Sequence, residues 1–349
     1  MKIPVNLRDA SYEVTIGPGV RHEVSSFLSE RMARARTAVI ITSPEIRRQP
    51  WFDFSFVLET RILEVPDGEA AKNFSTLAQA CEQLALWGVS RRDVIVGVGG
   101  GAITDLAGFV AAVYLRGVTV LHVPTSVVGQ VDAAIGGKTA VDLAAGKNLV
   151  GAFHQPAGVW CDSQTLATLS DRERVAGMGE VAKCWLLEGR TAQDLSSTSL
   201  GDFIAMSVAL KSRLVAADEF ELTGQRALLN YGHTLAHAIE LIALERDADE
   251  LRHGEAVAIG LAFAARLARR LGRVDDGFVV RTDDILTFFG LPSRVGTRFN
   301  VGELLQIMSR DKKAHHDLTF VLAGGDGFEV VTAIDPLMVR DELERFEEA

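Results

Sequence analysis

The stretch Asp93-Val-Ile-Val-Gly-Val-Gly99-Gly-Gly101-Ala-Ile-Thr-Asp105 limits the possible folds more than any other. It opens as a β-rich apolar run, passes through three consecutive glycines and continues into a helix. A run with no polar alternation suits a strand buried on both faces, as in a parallel sheet covered by helices. The glycines let the backbone turn sharply and approach a bound pyrophosphate, and the helix N-terminus offers N–H groups and positive dipole to it. The spacing is not G-x-G-x-x-G, and a tight strand-to-helix turn without ligand needs the same glycines. Both readings require an α/β fold.

The neighbouring segments repeat the pattern. Ser11–Pro18 reads as a strand and turn, Thr37–Ser43 as a short buried strand, and Val118–Ser126 as another with polar residues at its end. Ligands of open α/β sheets gather at such carboxyl ends. Phe74–Leu86 has helical spacing and stops at Trp87-Gly88. From about residue 176 the period changes. Helical spacing runs through 177–188, 200–217, 226–245, 253–272, Phe278–Phe289 and Val301–Ser309, followed by two short strands at 318–323 and 328–331. The expectation is an α/β domain over 1–175 and a mainly helical domain over 176–349.

Composition narrows the partners. The 349 residues carry 36 basic and 46 acidic side chains, a net charge of −10. That argues against nucleic acid or an anionic membrane, and an anionic substrate would need a local basic pocket. No run of about 18 uncharged apolar residues suggests a membrane span. Cys81, Cys161 and Cys184 are scattered, and the first eight residues lack the long apolar core of a secretory signal, so a reducing cytoplasm is expected. One basic spot stands out. Lys138 and Lys147 each follow glycine in a stretch that is otherwise small and apolar, which suits an anion site. It is not a Walker motif, because Ala133 stands where the first glycine would be.

A second constellation lies in the helical half. Arg226, Asn230, His233 and His237 are spaced four, three and four apart, as on one helix face. His253-Gly-Glu255 stands at another helix start, and Glu180 lies in Gly177-Met-Gly-Glu180-Val-Ala-Lys183 upstream. Two or three histidines with one glutamate make an open catalytic zinc set. On the residues alone, His237 is a candidate ligand beside His233 and His253.

Taken in order, the motifs resemble the 3-dehydroquinate synthases of the sugar-phosphate cyclase family over nearly the whole chain. They are Pro66-Asp-Gly-Glu69-Ala-Ala-Lys72, Gly99–Asp105, Leu115-Arg116-Gly117, Pro124-Thr-Ser126, Val131-Asp132 through Lys138, Gly146-Lys147-Asn148, Gly177–Lys183, Arg226–His237, His253–Gly260 and Asp311-Lys312-Lys313. The resemblance implies a Rossmann-like N-terminal domain, a mainly helical C-terminal domain and an active site in the cleft between them. It implies conversion of 3-deoxy-D-arabino-heptulosonate 7-phosphate to 3-dehydroquinate and phosphate, on the shikimate route to aromatic amino acids. It implies catalytic NAD, one zinc (or cobalt) and a homodimer. Glu180, His233 and His253 would hold the metal, and His237 would turn to the substrate phosphate. Lys138, Asn148, Lys211, Arg226, Lys312 and Lys313 would hold the anionic groups, with Arg116 reaching over from the neighbouring subunit. Asp132 and Lys183 would fix hydroxyls, and Glu221 and Asn230 complete the catalytic set. Asp67, Glu69, Lys72, Gly100, Gly101, Asp105, Thr125, Ser126, Lys138, Lys147, Thr165 and Thr168 would contact NAD.

Three departures from the family pattern stand out. Ser43 ends the second strand where an Asp is common, the spacer from Asp218 to Arg226 is one residue longer, and Ala133 and Ala134 replace serines. Asn230 favours this reaction over that of deoxyinosose synthases, where a Glu is expected. An aminodehydroquinate synthase or another secondary-metabolic cyclase would keep the same metal and NAD set. A zinc-dependent polyol dehydrogenase would need fewer anion-binding residues and would consume its NAD. A catalytically dead binding protein would not need the intact metal and lysine set.

Overall fold

The computed structural model describes residues 1–144, 146–245, 251–294, 299–310 and 318–348. The chain forms two compact units, Met1–Ser170 with Leu200–Phe220, and Asp171–Ser199 with Glu221–Ala349.

In the first unit the apolar runs become strands: β1 (Lys2–Val5), β2 (Tyr12–Gly17), β3 (Thr37–Thr42), β4 (Glu59–Glu64), β5 (Val94–Gly99), β6 (Thr119–Pro124), β7 (Lys138–Leu143), β8 (Gly146–Phe153) and β9 (Gly158–Asp162). Seven of them make one sheet in the order β1-β2-β9-β6-β5-β3-β4. Only the β1–β2 pair is antiparallel. Every residue of β3 and β5 is buried, which is why neither run alternates with polar residues. Successive side chains take opposite faces. Val39 and Ile41 enter one core with Ile95 and Val120, whereas Ala38 and Ile40 enter the other with Val94, Val96 and Leu121.

Helices cover both faces. Val24 and Leu28 of α1 (Glu23–Arg31) close the second core. The short α2 (Pro44–Arg47) follows β3. Leu77, Ala80 and Leu84 of α3 (Phe74–Leu86) and Leu106, Ala107 and Val110 of α4 (Gly101–Val113) close the first. Each such leucine contributes roughly 1.5–3 kcal/mol by leaving water. Asn73 caps α3 by accepting from the Thr76 amide at 2.9 Å.

The lysine- and glycine-rich stretch after β6 folds as the antiparallel hairpin β7–β8, pairing Lys138 with Phe153 and Val141 with Val150. Sequence periodicity gave no sign of it. α5 (Asp171–Leu187) belongs to the second unit, while α6 (Leu200–Ala217) returns to the first and packs on β1, β2 and the Gly129–Ala133 turn.

The second unit is built on α7 (His233–Glu245), α8 (His253–Arg270), α9 (Asp276–Phe288), α10 (Val301–Arg310), the hairpin β10 (Leu318–Gly324) and β11 (Gly327–Ile334), and α11 (Pro336–Glu348). The alanine-rich α8 is its axis, buried along most of its length against α5, α7, α9, α11 and β10. No helix among the described residues is long and apolar enough to cross a membrane.

The helical spacing over 226–245 does not fold as one helix. Arg226–Asn230 is a 3-10 turn, Tyr231 leaves helical geometry at φ −56 and ψ 124, and Gly232 takes φ 81 before α7 begins at His233. Packing is the reason. The Gly232 carbonyl lies so close to α8 that a Cβ on Gly260 would sit 1.9 Å from it. Arg226 and Asn230 therefore do not share a helix face with the histidines. His233 and His237 remain one turn apart, their ring centroids separated by 5.4 Å.

Candidate metal and cofactor sites

The metal candidates are brought together by glycines. A Cβ on Gly179 would lie 2.1 Å from the Gly254 carbonyl oxygen, and one on Gly254 would lie 1.7 Å from that of Ala176. Only with hydrogen at both positions can α5 and the start of α8 touch backbone to backbone. The residue after Gly179 is then Glu180, fully buried, and the residue before Gly254 is His253. The Gly232–Gly260 contact seats the start of α7 beside them in the same way.

The ligand atoms of Glu180, His233 and His253 all lie within 4.8 Å of one another. Glu180 Oε1 is 3.3 Å from His233 Nε2 and 3.1 Å from His253 Nε2. Each imidazole turns its other nitrogen to an acceptor: His233 Nδ1 to the Tyr231 carbonyl at 3.2 Å, and His253 Nδ1 to Glu240 Oε1 at 3.1 Å. With both Nδ1 atoms donating, each Nε2 stands at the same carboxylate oxygen, where it either donates a proton to Glu180 or turns a lone pair to a cation. Such a cluster either shares protons or shares a cation, and its donor set of two imidazoles and one carboxylate fits a catalytic zinc or cobalt. His237 lies outside this group and is exposed.

Charge is concentrated here. Burial by itself would raise the Glu180 carboxyl. The Lys183 ammonium, paired with Glu180 Oε2, and the two imidazoles outweigh it and hold the carboxyl well below its usual range. Burial would likewise lower His253, but Glu240 and Glu180 outweigh it and hold the imidazole well above its usual range. Two other predicted residues of this unit meet each other: Asn230 Nδ2 donates to Glu221 Oε1 at 3.1 Å, with Glu221 at φ 57. Arg226 is buried at 2% exposure. Lys312 and Lys313 lie outside the described residues.

The first unit gathers the cofactor candidates. Gly100 precedes α4 without a side-chain cap, so the first amides of α4 face outward from the end of β5. A Cβ on Gly100 would meet Ser126 Oγ at 3.4 Å, which places the β6 end, Thr125 and Ser126, against this turn. The Thr125 amide donates to the Gly99 carbonyl at 2.9 Å. Nearby, the buried Lys72 Nζ donates to Asp105 Oδ2 at 2.8 Å and to Asn148 Oδ1 at 2.5 Å. Glu69 lies 3.6 Å from Lys147. Burial pushes the Asp105 carboxyl up to about 6, against the lowering pull of Lys72. A bare glycine turn at a helix N-terminus beside exposed polar groups fits a dinucleotide.

Thr165 and Thr168 lie on the 3-10 turn Ser163–Thr168. Thr165 Oγ1 donates to the Asp162 carbonyl at 2.8 Å, and Thr168 Oγ1 accepts from Trp51 Nε1 at 2.9 Å. Lys211 Nζ donates to both Asp132 Oδ1 and the Asp132 carbonyl at 2.6 Å. Lys138 is exposed at the start of β7, and Arg116 is exposed at φ 65 in the turn after α4. Ser43 does more than stand in for an acid. Fully buried at the end of β3, its Oγ donates to Asp67 Oδ1 at 2.6 Å, so a carboxylate is still delivered to that strand end from the β4–α3 loop.

Models of the 3-dehydroquinate synthase N-terminal and C-terminal regions match residues 62–176 and 177–314. A 3-dehydroquinate synthase of Corynebacterium pseudotuberculosis (strain C231) is 42% identical over 316 residues, 86% of this chain and 86% of the relative. The chain belongs to the 3-dehydroquinate synthase family. Within that family, an Amycolatopsis mediterranei (strain S699) protein provisionally named aminodehydroquinate synthase is 46% identical over 343 residues, 98% of this chain and 94% of the relative. The fold agrees. The crystal structure of a 2-deoxy-scyllo-inosose synthase complexed with carbaglucose-6-phosphate, NAD+ and Co2+ matches with a TM-score of 0.86 at 24% identity, covering 99% of this chain and all of that one.

Proposed function

We propose that this chain is a 3-dehydroquinate synthase, an NAD- and metal-dependent carbon–oxygen lyase. It converts 3-deoxy-D-arabino-heptulosonate 7-phosphate to 3-dehydroquinate and phosphate. The observation that carries the reading is the convergence of His233 and His253 Nε2 on Glu180 Oε1, in a chain of this family. These three residues would hold one divalent ion, zinc or cobalt, and leave a side open for substrate oxygens. When bound, NAD would take a hydride from C5 and return it, and the metal would polarise the substrate's hydroxyls.

The remaining work falls to the chain's own groups. Lys183, pinned by Glu180, presents a fixed ammonium for hydroxyl binding. Asp132, held by Lys211, presents an oriented carboxylate. Arg226 and His237, with Lys138, Asn148 and the Lys312/Lys313 pair, would hold the phosphate and carboxylate, Arg by its planar fork and Lys as point charges. The Gly100–Gly101 turn with Thr125, Ser126, Lys72, Asp105, Glu69, Lys147 and Asp67 would bind NAD, and the Thr165–Thr168 turn would line the same ligand. The enzyme would work as a homodimer in the cytoplasm, with Arg116 serving the neighbouring subunit. Its three cysteines are free thiols, as such a compartment keeps them.

The Amycolatopsis relative favours a second reading, in which the substrate carries an amino group in place of an oxygen. Phosphate release from the heptulosonate phosphate and from its amino analogue, measured side by side, decides between them. The oxygen substrate is expected to give the higher kcat/KM, and a reversed preference makes the chain an aminodehydroquinate synthase.

A further inference from the structure

The two imidazoles that face Glu180 are oriented by different means. His233 Nδ1 meets the carbonyl of Tyr231, two residues away and fixed by the same turn. His253 Nδ1 meets a side chain instead, Glu240 Oε1 at 3.1 Å, thirteen residues away on another helix. Glu240 follows His233 by two turns of α7, so both project from one face of that helix. Its side chain is 9% exposed, while that of His253, at the first position of α8, is 35% exposed. The His253 ring is therefore held from both sides, by Glu240 at Nδ1 and by Glu180 at Nε2, and of these two Glu240 lies behind the ring, away from the shared oxygen.

We infer that Glu240 is a positioning residue for the metal site. Its carboxylate accepts the His253 Nδ1 proton, selects the tautomer whose lone pair is on Nε2, and aims that lone pair at the point shared with Glu180 and His233. A carboxylate behind a histidine ligand also raises the basicity of the ring and strengthens its bond to the metal. The inference rests on the reading of Glu180, His233 and His253 as metal ligands.

Metal-stripped protein titrated with Zn2+ against a chromophoric chelator tests it, with no need for turnover. The parent should bind one equivalent. Glu240→Gln keeps the shape but loses the charge, and its zinc affinity should fall tenfold to a hundredfold. Glu240→Asp keeps the charge with a shorter reach and should recover part of that loss, which a purely structural role would not produce. The visible spectrum of the Co2+ form, recorded on all three proteins, should shift for Glu240→Gln as the His253 ring loses its orientation. Zinc affinity within twofold of the parent and an unchanged Co2+ spectrum for Glu240→Gln would overturn the inference while leaving the three-ligand reading intact. A parent that takes up no metal would overturn that reading and the inference with it.

Discussion

Arg226 is the residue whose chemistry is most exposed to test. It is 2% exposed, an unusual place for a guanidinium unless it serves a site or a network. Arg226→Lys keeps the charge but loses the planar fork that grips phosphate or carboxylate with two parallel hydrogen bonds. A charge-assisted hydrogen bond contributes roughly 1.5–3 kcal/mol, so kcat/KM should fall by about tenfold to a hundredfold. Metal content and NAD affinity, measured on the same samples, should barely change. Unchanged kinetics would make Arg226 a structural residue. At this scale residue type and spacing group Glu180, His233 and His253 as one candidate set, and the fold brings their ligand atoms within 4.8 Å of one another. The sequence was less legible where one polar group replaces another. Ser43 reads as a missing acid, and only the fold shows its hydroxyl bonded to Asp67. Asn148 reads as an anion ligand, and its side chain rests on Lys72.

Among the elements, α5 and α8 depend on glycines that periodicity treats as blanks. Gly254→Ala would place a methyl 1.7 Å from the Ala176 carbonyl, so the helices must part. Overpacking of this kind costs roughly 1–3 kcal/mol, and His253 moves with it, so bound zinc should fall as well as Tm. Gly325→Ala, where an added Cβ meets nothing within 4 Å, is the control and should stay within about 0.5 kcal/mol of the parent. Bound metal retained at the parental level in Gly254→Ala would remove this contact from the account of the site.

Strand β6 carries a different liability. His122 is buried, and desolvation, helped by His154, lowers its pKa to about 3. The unfolded chain, with the ordinary value of 6.5, therefore binds the proton more readily, and stability falls as pH drops from about 6.5 toward 3. Across that window this residue adds a slope of up to about 1.4 kcal/mol per pH unit. Urea unfolding at several pH values should give a shallower acid limb for His122→Leu than for the parent; equal slopes would mean that His122 is not held neutral. Helix and strand periods were legible for Phe74–Leu86 and Leu200–Ala217, whose bounds match the predicted spans. The break at Gly232 was not, because it is set by the approach of α8, and the β7–β8 hairpin was not, because glycine and lysine obscure its alternation.

For the whole molecule the governing fact is a net charge of −10 beside a proposed substrate that carries phosphate and carboxylate. Long-range attraction does not favour such a ligand, so its recognition would fall to local basic groups. In the proposed reaction bound NAD would accept a hydride from the substrate and give it back after phosphate has left, with no net oxidation. The most direct test follows phosphate and the 340 nm absorbance of NADH together, with NAD supplied far below the concentration of the heptulosonate phosphate. Many phosphates should be released per NAD, with no lasting rise in NADH. Accumulation of NADH, one for each substrate consumed, would contradict the proposed reaction and make the chain a dehydrogenase.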